Sequence, residues 1–214
     1  ERHDGRAVTC DDFAQAIADA NPDSDLARLL PQFKRWYSQA GTPRLHAAGV
    51  YNAEARNYTL TLTQSCAPTP GQAAKEPFVI PVALGLLGPD GAALPLQFAG
   101  SSEPAAADRL LVLTEASASY TFVNVNAEPV PSILRAFSAP VVLEFDYTDA
   151  QLLTLLAQDT DPFNCWEAAQ RLTLNRALAF IRGHAHPAEA QVLDPACIEA
   201  LRGVDALINN AGVV

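Results

Sequence analysis

The spacing of apolar side chains changes period twice along this chain, and few folds accommodate that. Thr9, followed by Asp11 and Asp12, predicts a helix start, with a side-chain oxygen for the first free amides and acidic charge at the positive helix end. Phe13, Ala16, Ile17 and Ala20 then recur at helical spacing until Asn21-Pro22. Leu26, Leu29, Leu30, Phe33, Trp36 and Tyr37 form a second stripe, interrupted by Pro31 and closed by Gly41 and Thr42-Pro43.

From there the period falls to two. In Tyr58-Thr59-Leu60-Thr61-Leu62-Thr63, apolar and threonine side chains alternate across a sheet, one face to core and one to solvent. Further strands are expected at 44–50, 78–87, 94–98, 110–114, 120–125 and 141–147. Prolines crowd between Pro43 and Pro140, which suits short strands with frequent turns and would break helices. Gly88-Pro89-Asp90-Gly91 has the chemistry of a tight turn between antiparallel strands. The pattern predicts a β-sandwich over 44–147.

After Tyr147 the helical period returns. Thr148-Asp149 precedes Leu152, Leu153, Leu155 and Leu156, and Asp161-Pro162 places a cap before proline at a first helical position. Trp166, Ala169, Leu172, Leu174, Leu178 and Ile181 carry this helix to Gly183, and a third short helix is expected after Asp194-Pro195. The fold class is therefore α+β: a central antiparallel β-sandwich flanked by helical segments, neither flank holding enough apolar surface for a domain of its own.

Composition excludes several function classes. Hydrophobic residues make up 49% of the 214 and charged residues 18%, so the chain is expected to fold. A formal charge of −10, with Lys34-Arg35 as the longest basic run, argues against nucleic acid and anionic membranes as partners. The longest apolar stretch, 78–87, is broken by Pro81 and Gly85 and falls short of the ~18–20 residues of a spanning helix. Methionine is absent and Glu1 comes first, so a fragment or processed chain is expected. Cys10, Cys66, Cys165 and Cys197 are widely spaced without a C-x-x-C motif; they read as buried free thiols of a reducing cytoplasm, with two bridges in any of three connectivities as the alternative.

The constellations that could carry chemistry have simpler readings. His184 and His186, with Glu189, Asp194 and Cys197 downstream, are zinc-ligand types, but a Gly/Pro-flanked loop would not fix their geometry. Asp159, Asp161 and Asn164 begin like a calcium loop, yet Pro162 follows and the distal Glu is missing, so helix capping explains them. Gly85, Gly88 and Gly91 read as turn glycines. There is no G-x-S-x-G, and none of His3, His46, His184 and His186 is followed by Glu, so H-E-x-x-H is absent too.

Residues 1–5 (Glu-Arg-His-Asp-Gly), Thr9-Cys10-Asp11-Asp12-Phe13 and the run from Phe33 through Lys34-Arg35-Trp36-Tyr37 to Pro43 together resemble the bacterial aminopeptidase N family, which are zinc metallopeptidases. The resemblance continues through Tyr58-Thr59-Leu60-Thr61 and Val130-Pro131-Ser132-Ile133-Leu134-Arg135-Ala136-Phe137-Ser138-Ala139-Pro140-Val141, and reaches Trp166-Glu167-Ala168-Ala169-Gln170. It implies that residues 1–43 end a thermolysin-like catalytic domain, 44–147 form a small β-sandwich domain, and 148–203 begin a helical domain. The parent would use zinc to hydrolyse N-terminal peptide bonds in the cytoplasm, and its remaining domains would be this chain's partners.

The family's H-E-x-x-H, distal glutamate and G-A-M-E-N motifs have no matching positions, so no catalytic, cofactor-binding or metal-ligating residue is assigned and no cofactor is expected in this chain itself. Residues 204–214 depart from the pattern. Their Asn209-Asn210-Ala211-Gly212 resembles a strand end of short-chain dehydrogenases, although no tyrosine has Lys four positions later. An autonomous β-sandwich binding module is the alternative to an aminopeptidase scaffold, and a dehydrogenase-like protein is a third reading resting on the tail alone.

Overall fold

Two sheets pack face to face between two groups of helices in the computed structural model, which describes residues 4–182. Helix α1 (Cys10–Ala20) starts where the sequence indicates: Thr9 Oγ1 accepts from Asp12 N–H at 3.2 Å, and the Asp12 carboxylate accepts from Thr9 N–H at 2.9 Å. Helix α2 (Asp25–Phe33) is capped by Ser24. Pro31 is accommodated inside it, and the chain breaks three residues later at Lys34 before the short α3 (Arg35–Ser38).

The apolar stripe expected on α1 faces outward. Ala14 and Ala18 are buried against Leu26, Ala27, Leu30 and Phe33, whereas Phe13 is 61% exposed and Ile17 37%. Alanines let α2 approach closely, so the small-residue face takes the contact and the larger side chains are left without cover among the described residues.

The sandwich comprises β1 (Arg44–Asn52), β2 (Asn57–Ser65), β3 (Ile80–Leu87), β4 (Ala93–Leu94), β5 (Asp108–Leu113), β6 (Ser117–Val123), β7 (Val130–Ile133) and β8 (Val142–Glu144). One sheet runs β6-β2-β1-β8; in the other, β3 pairs with β4, β5 and β7. All pairs are antiparallel except β1 with β8, which run parallel and place Arg44 against Glu144 as an ion pair.

Alternation does what the sequence requires. Tyr58, Leu60 and Leu62 of β2 are buried, while Thr59, Thr61 and Thr63 meet Thr121, Ser119 and Ser117 of β6 in a ladder of hydroxyl bonds at 2.8–2.9 Å. The opposing wall is Ile80, Val82, Leu84 and Leu86 of β3 with Leu111 and Leu113 of β5. The turn at 88–91 joins β3 to β4, with Gly91 at φ +79° and its N–H bonded to Gly88 O at 2.9 Å. The strand expected at 94–98 is shorter: Pro95 limits β4 to two residues, and Leu96 and Phe98 make only isolated bridges. Strand β7, with Pro131 inside and Pro129 before it, is not expected from periodicity.

Helices α2 and α3 are tied to the sandwich chiefly through the segment 76–79 before β3, with one bond to the end of β5. Trp36 packs against Phe78 in a tilted pair, ring centroids 4.7 Å apart, and donates from Nε1 to Val79 O at 2.9 Å. Gln32 donates to Pro77 O and Thr114 O, and Arg35 bonds Pro77 O and the Glu76 carboxylate. Trp36 thus packs on the sandwich, whereas Phe33 packs within the small α1–α2 cluster.

Beyond the sandwich lie α4 (Asp149–Gln158) and α5 (Pro162–Ile181), which pack on each other. Thr148 and Gln151 close a capping box on α4. The helix expected after Asp194, the His184/His186 loop with Glu189 and Cys197, His3, and the tail at 204–214 lie outside the described residues.

Candidate functional site: a polar junction between sheet and helices

Five polar residues are buried among the described residues: Gln64, Ser132, Asp159, Asp161 and Asn164. Gln64 is internal to the sandwich, where its amide bonds Phe78 N–H, Phe78 O and Glu115 O. The other four meet where β7 faces the α4–α5 connection, and Arg135 joins them from the 3-10 turn at Arg135–Phe137.

Their hydrogen bonds form one network. Arg135 Nη1 donates to Asp159 Oδ1 at 2.8 Å and to Ser132 Oγ at 3.0 Å, while Nη2 donates to Thr160 Oγ1 at 2.8 Å. Ser132 Oγ donates to Asp159 Oδ2 at 2.6 Å and accepts from Asn164 Nδ2 at 2.7 Å. Asp161 uses Oδ1 to cap α5 through Asn164 N–H at 2.9 Å and Oδ2 to hold Ala136 N–H at 2.7 Å. The Asp159 side chain is wholly buried, so its charge requires such a partner.

The capping explanation of Asp161 and Asn164 is what the structure shows, but Asp159 does more than cap. Gly85 is corrected: it lies inside β3 rather than in a turn, and a Cβ there would stand 2.8 Å from Arg135 Nη1. The reason is close approach of a side chain rather than backbone turning.

Around this network Tyr147 donates to Pro131 O at 2.7 Å, and burial pushes its phenol well above the usual range. Arg171 of α5 donates to Leu143 O at 2.9 Å and to Phe145 O, covering carbonyls next to and within β8. An apolar cleft of about 230 Å³ opens beside them, lined by Ile133, Leu134, Phe137, Val141 and Phe163, with Glu167 and Arg171 at its polar side. The rings of Phe137, Phe163 and Trp166 follow one another at 5.1 and 5.9 Å.

The cysteines differ from the expectation of buried thiols. Cys10 is exposed, Cys66 half-buried and Cys165 buried, and all three are free. Cys10 falls on the outward first turn of α1 and so has no core to enter. Cys165 donates to Asp159 O at 3.2 Å, and burial pushes its thiol up to about 11. His46 projects from the exposed face of β1.

No cluster of three or more His, Cys, Asp or Glu side chains among the described residues could hold a metal. The one close pair of buried carboxylates, Asp159 and Asp161, has its oxygens taken by Arg135, Ser132 and backbone amides, so this junction does not fit a zinc ion. What the arrangement can do is mechanical: it fixes two helices to a sheet. The sequence offers no sign of it beyond the Asp161 cap, because Ser132 and Arg135 lie more than twenty residues from their acidic partners.

Two families match the chain. One, described as a domain of unknown function with an Ig-like fold (DUF3458), matches residues 41–146; the other, described as a domain of unknown function with ARM repeats (DUF3458_C), matches 149–209. Among curated proteins, aminopeptidase N of Escherichia coli strain K12 is 44% identical over 173 residues, 80% of this chain and 19% of the relative. Aminopeptidase N of Caulobacter vibrioides is 40% identical over 189 residues, 88% of this chain and 20% of the relative. Among solved structures, Legionella pneumophila aminopeptidase A in complex with aspartic acid superposes with a TM-score of 0.69 at 29% identity, covering 96% of this chain and 20% of that one. The chain spans about a fifth of the length of the relatives it matches.

Proposed function

The chain belongs to the aminopeptidase N family, matching a non-catalytic region of its members, and on that premise we propose that it is the inter-domain scaffold of a zinc-dependent enzyme that removes N-terminal residues from peptides. In this reading residues 1–43 close the catalytic domain, 44–147 are the sandwich domain, 148–203 open the helical domain, and 204–214 are an atypical tail. The remaining domains of the enzyme are the partners, and the cytoplasm is the compartment.

The observation that carries the reading is the pair of tied junctions. Trp36, Arg35 and Gln32 bind one end of the sandwich to the preceding helices, and the Arg135–Asp159 network binds the other end to the following ones. A single-purpose binding module has no need of both. The outward Phe13 and Ile17 support it further, since a larger protein would cover them.

In such an enzyme a bound zinc would supply Lewis-acid chemistry for peptide-bond hydrolysis, and none of the residues described here would hold it. The residues described here bind no substrate in this reading; they hold the sandwich between its neighbours. The purified chain is expected to carry far less than one equivalent of zinc and to leave aminoacyl-anilide substrates uncleaved. Chelator-sensitive turnover that copurifies with the chain and disappears in His184→Ala/His186→Ala would overturn the scaffold assignment.

A further inference from the structure

The two family matches divide between residues 146 and 149, and domain boundaries of that kind are ordinarily places where chains bend. Three features of this boundary point the other way.

A second apolar cluster, separate from the sandwich core, spans it. Leu87 of β3 and Val130 of β7 are buried in the same cluster as Leu152, Leu155 and Leu156 of α4 and Ala168 and Leu172 of α5, with Tyr147 of the connection packed against them.

The charge pair crosses the same boundary. Arg135 is mostly buried and Asp159 wholly so, and an ion pair this deep tolerates separation badly because each charge would be left without solvent or partner. The seat for the guanidinium is made by Gly85, where a Cβ would stand 2.8 Å from Nη1 and 3.2 Å from Cδ. A glycine in mid-strand weakens a sheet, and here its use is to admit Arg135.

The turn that presents Arg135 is strained. Leu134, Ala136 and Phe137 hold φ of 60°, 53° and 52°, left-handed values that side-chain-bearing residues avoid. The strain is held in place from the helical side, by Asp161 on Ala136 N–H and by Asp159 on Arg135. Asp161 therefore caps α5 and fixes the turn with the same carboxylate.

We propose that Arg135, seated over Gly85 and paired with Asp159, locks the sandwich to α4 and α5 as one mechanical body, making the boundary at 146–149 a rigid joint rather than a hinge. The proposal deepens the scaffold reading and rests on it for its use in an enzyme. Motion between parts of such an enzyme would then have to occur elsewhere than at this boundary.

Native-state amide exchange on the chain as it stands tests the joint without reference to zinc or turnover, so its failure is distinguishable from failure of the scaffold reading. In the unmodified chain, amides of α4 and α5 (152–156 and 168–172) are expected to share the slow exchange of β2 and β3, opening only with them. Gly85→Ala, which displaces the guanidinium while keeping both charged residues, and Asp159→Asn are each expected to speed exchange in α4 and α5 by about tenfold or more relative to β2. Two results overturn the lock: α4 and α5 exchanging about tenfold faster than β2 in the unmodified chain, or both variants leaving the ratio unchanged. If Asp159→Asn does not fold, Gly85→Ala alone decides.

Discussion

Cys165 shows how neighbours reset a residue's chemistry. Burial first, then the Asp159 and Asp161 carboxylates, push its thiol up from the ordinary value to about 11. The native state therefore keeps this proton to higher pH than the unfolded chain does. The stability this represents is fully present below about pH 9 and is lost as pH rises toward 11. Urea midpoints are expected to fall more steeply across that window in the parent chain than in Cys165→Ala; equal slopes would contradict the assignment. Trp36 makes a second residue-scale case, because it is only half-buried yet joins α3 to the core through Phe78 and Val79. Its indole N–H has a backbone partner, so Trp36→Ala leaves Val79 O short of a donor as well as removing the ring. A loss of about 2–4 kcal/mol in denaturant stability is expected, the lower part of the range reflecting partial exposure.

Among the elements, helix starts were the most legible, since each is written in a few adjacent residues. Thr9, Thr148 and Asp161 all cap the helices that the sequence indicates at those positions. Thr148→Ala removes the oxygen that accepts Gln151 N–H at 3.2 Å and should lower stability by about 1 kcal/mol in urea melts, with Thr148→Ser close to the parent. A Thr148→Ala chain as stable as the parent would show that α4 is held by its packing on β7 and α5 alone. Strands were legible where alternation, or an apolar run bounded by turn residues, was long enough to read. Nine residues of β2 alternate without interruption, whereas β7 has four buried residues, one a proline, and shows no period at all. β8 is one residue shorter still; a strand is expected there, but its parallel pairing with β1 depends on bringing residues 44 and 142 together.

At the scale of the whole molecule, the distribution of exposed apolar surface matters more than the net charge of −10. Phe13 and Ile17 form an outward stripe on α1, and Phe137 and Trp166 stand out beside the cleft at the opposite junction. Substituting both α1 residues, Phe13→Ser/Ile17→Ser, should leave the urea midpoint within the equivalent of about 0.5 kcal/mol, because both are exposed among the described residues. A loss of several kcal/mol would mean that the stripe is covered after all. The two junctions set the other molecular property: helices on either side are fixed to the sandwich by side-chain hydrogen bonds, part-buried at the α2–α3 end and buried or part-buried at the α4–α5 end.

The order helix, sandwich, helix was fixed by local information, because period, caps and prolines each act over a few residues, and that order together with the resemblance sufficed to indicate the family. The sequence did not reveal which of two apolar faces α1 would bury; that depended on how closely α2 could approach Ala14 and Ala18. Nor did it reveal Gly85, which looks like any turn glycine until Arg135 is placed over it from fifty residues away. Ser132, Arg135 and Asp159 are unremarkable in isolation, and only burial gives their charges and hydroxyls a shared purpose. The physical reason is one of range: backbone preferences are local and can be read along the chain, whereas desolvation of a charge and the fit of a side chain into a slot exist only once distant segments have met.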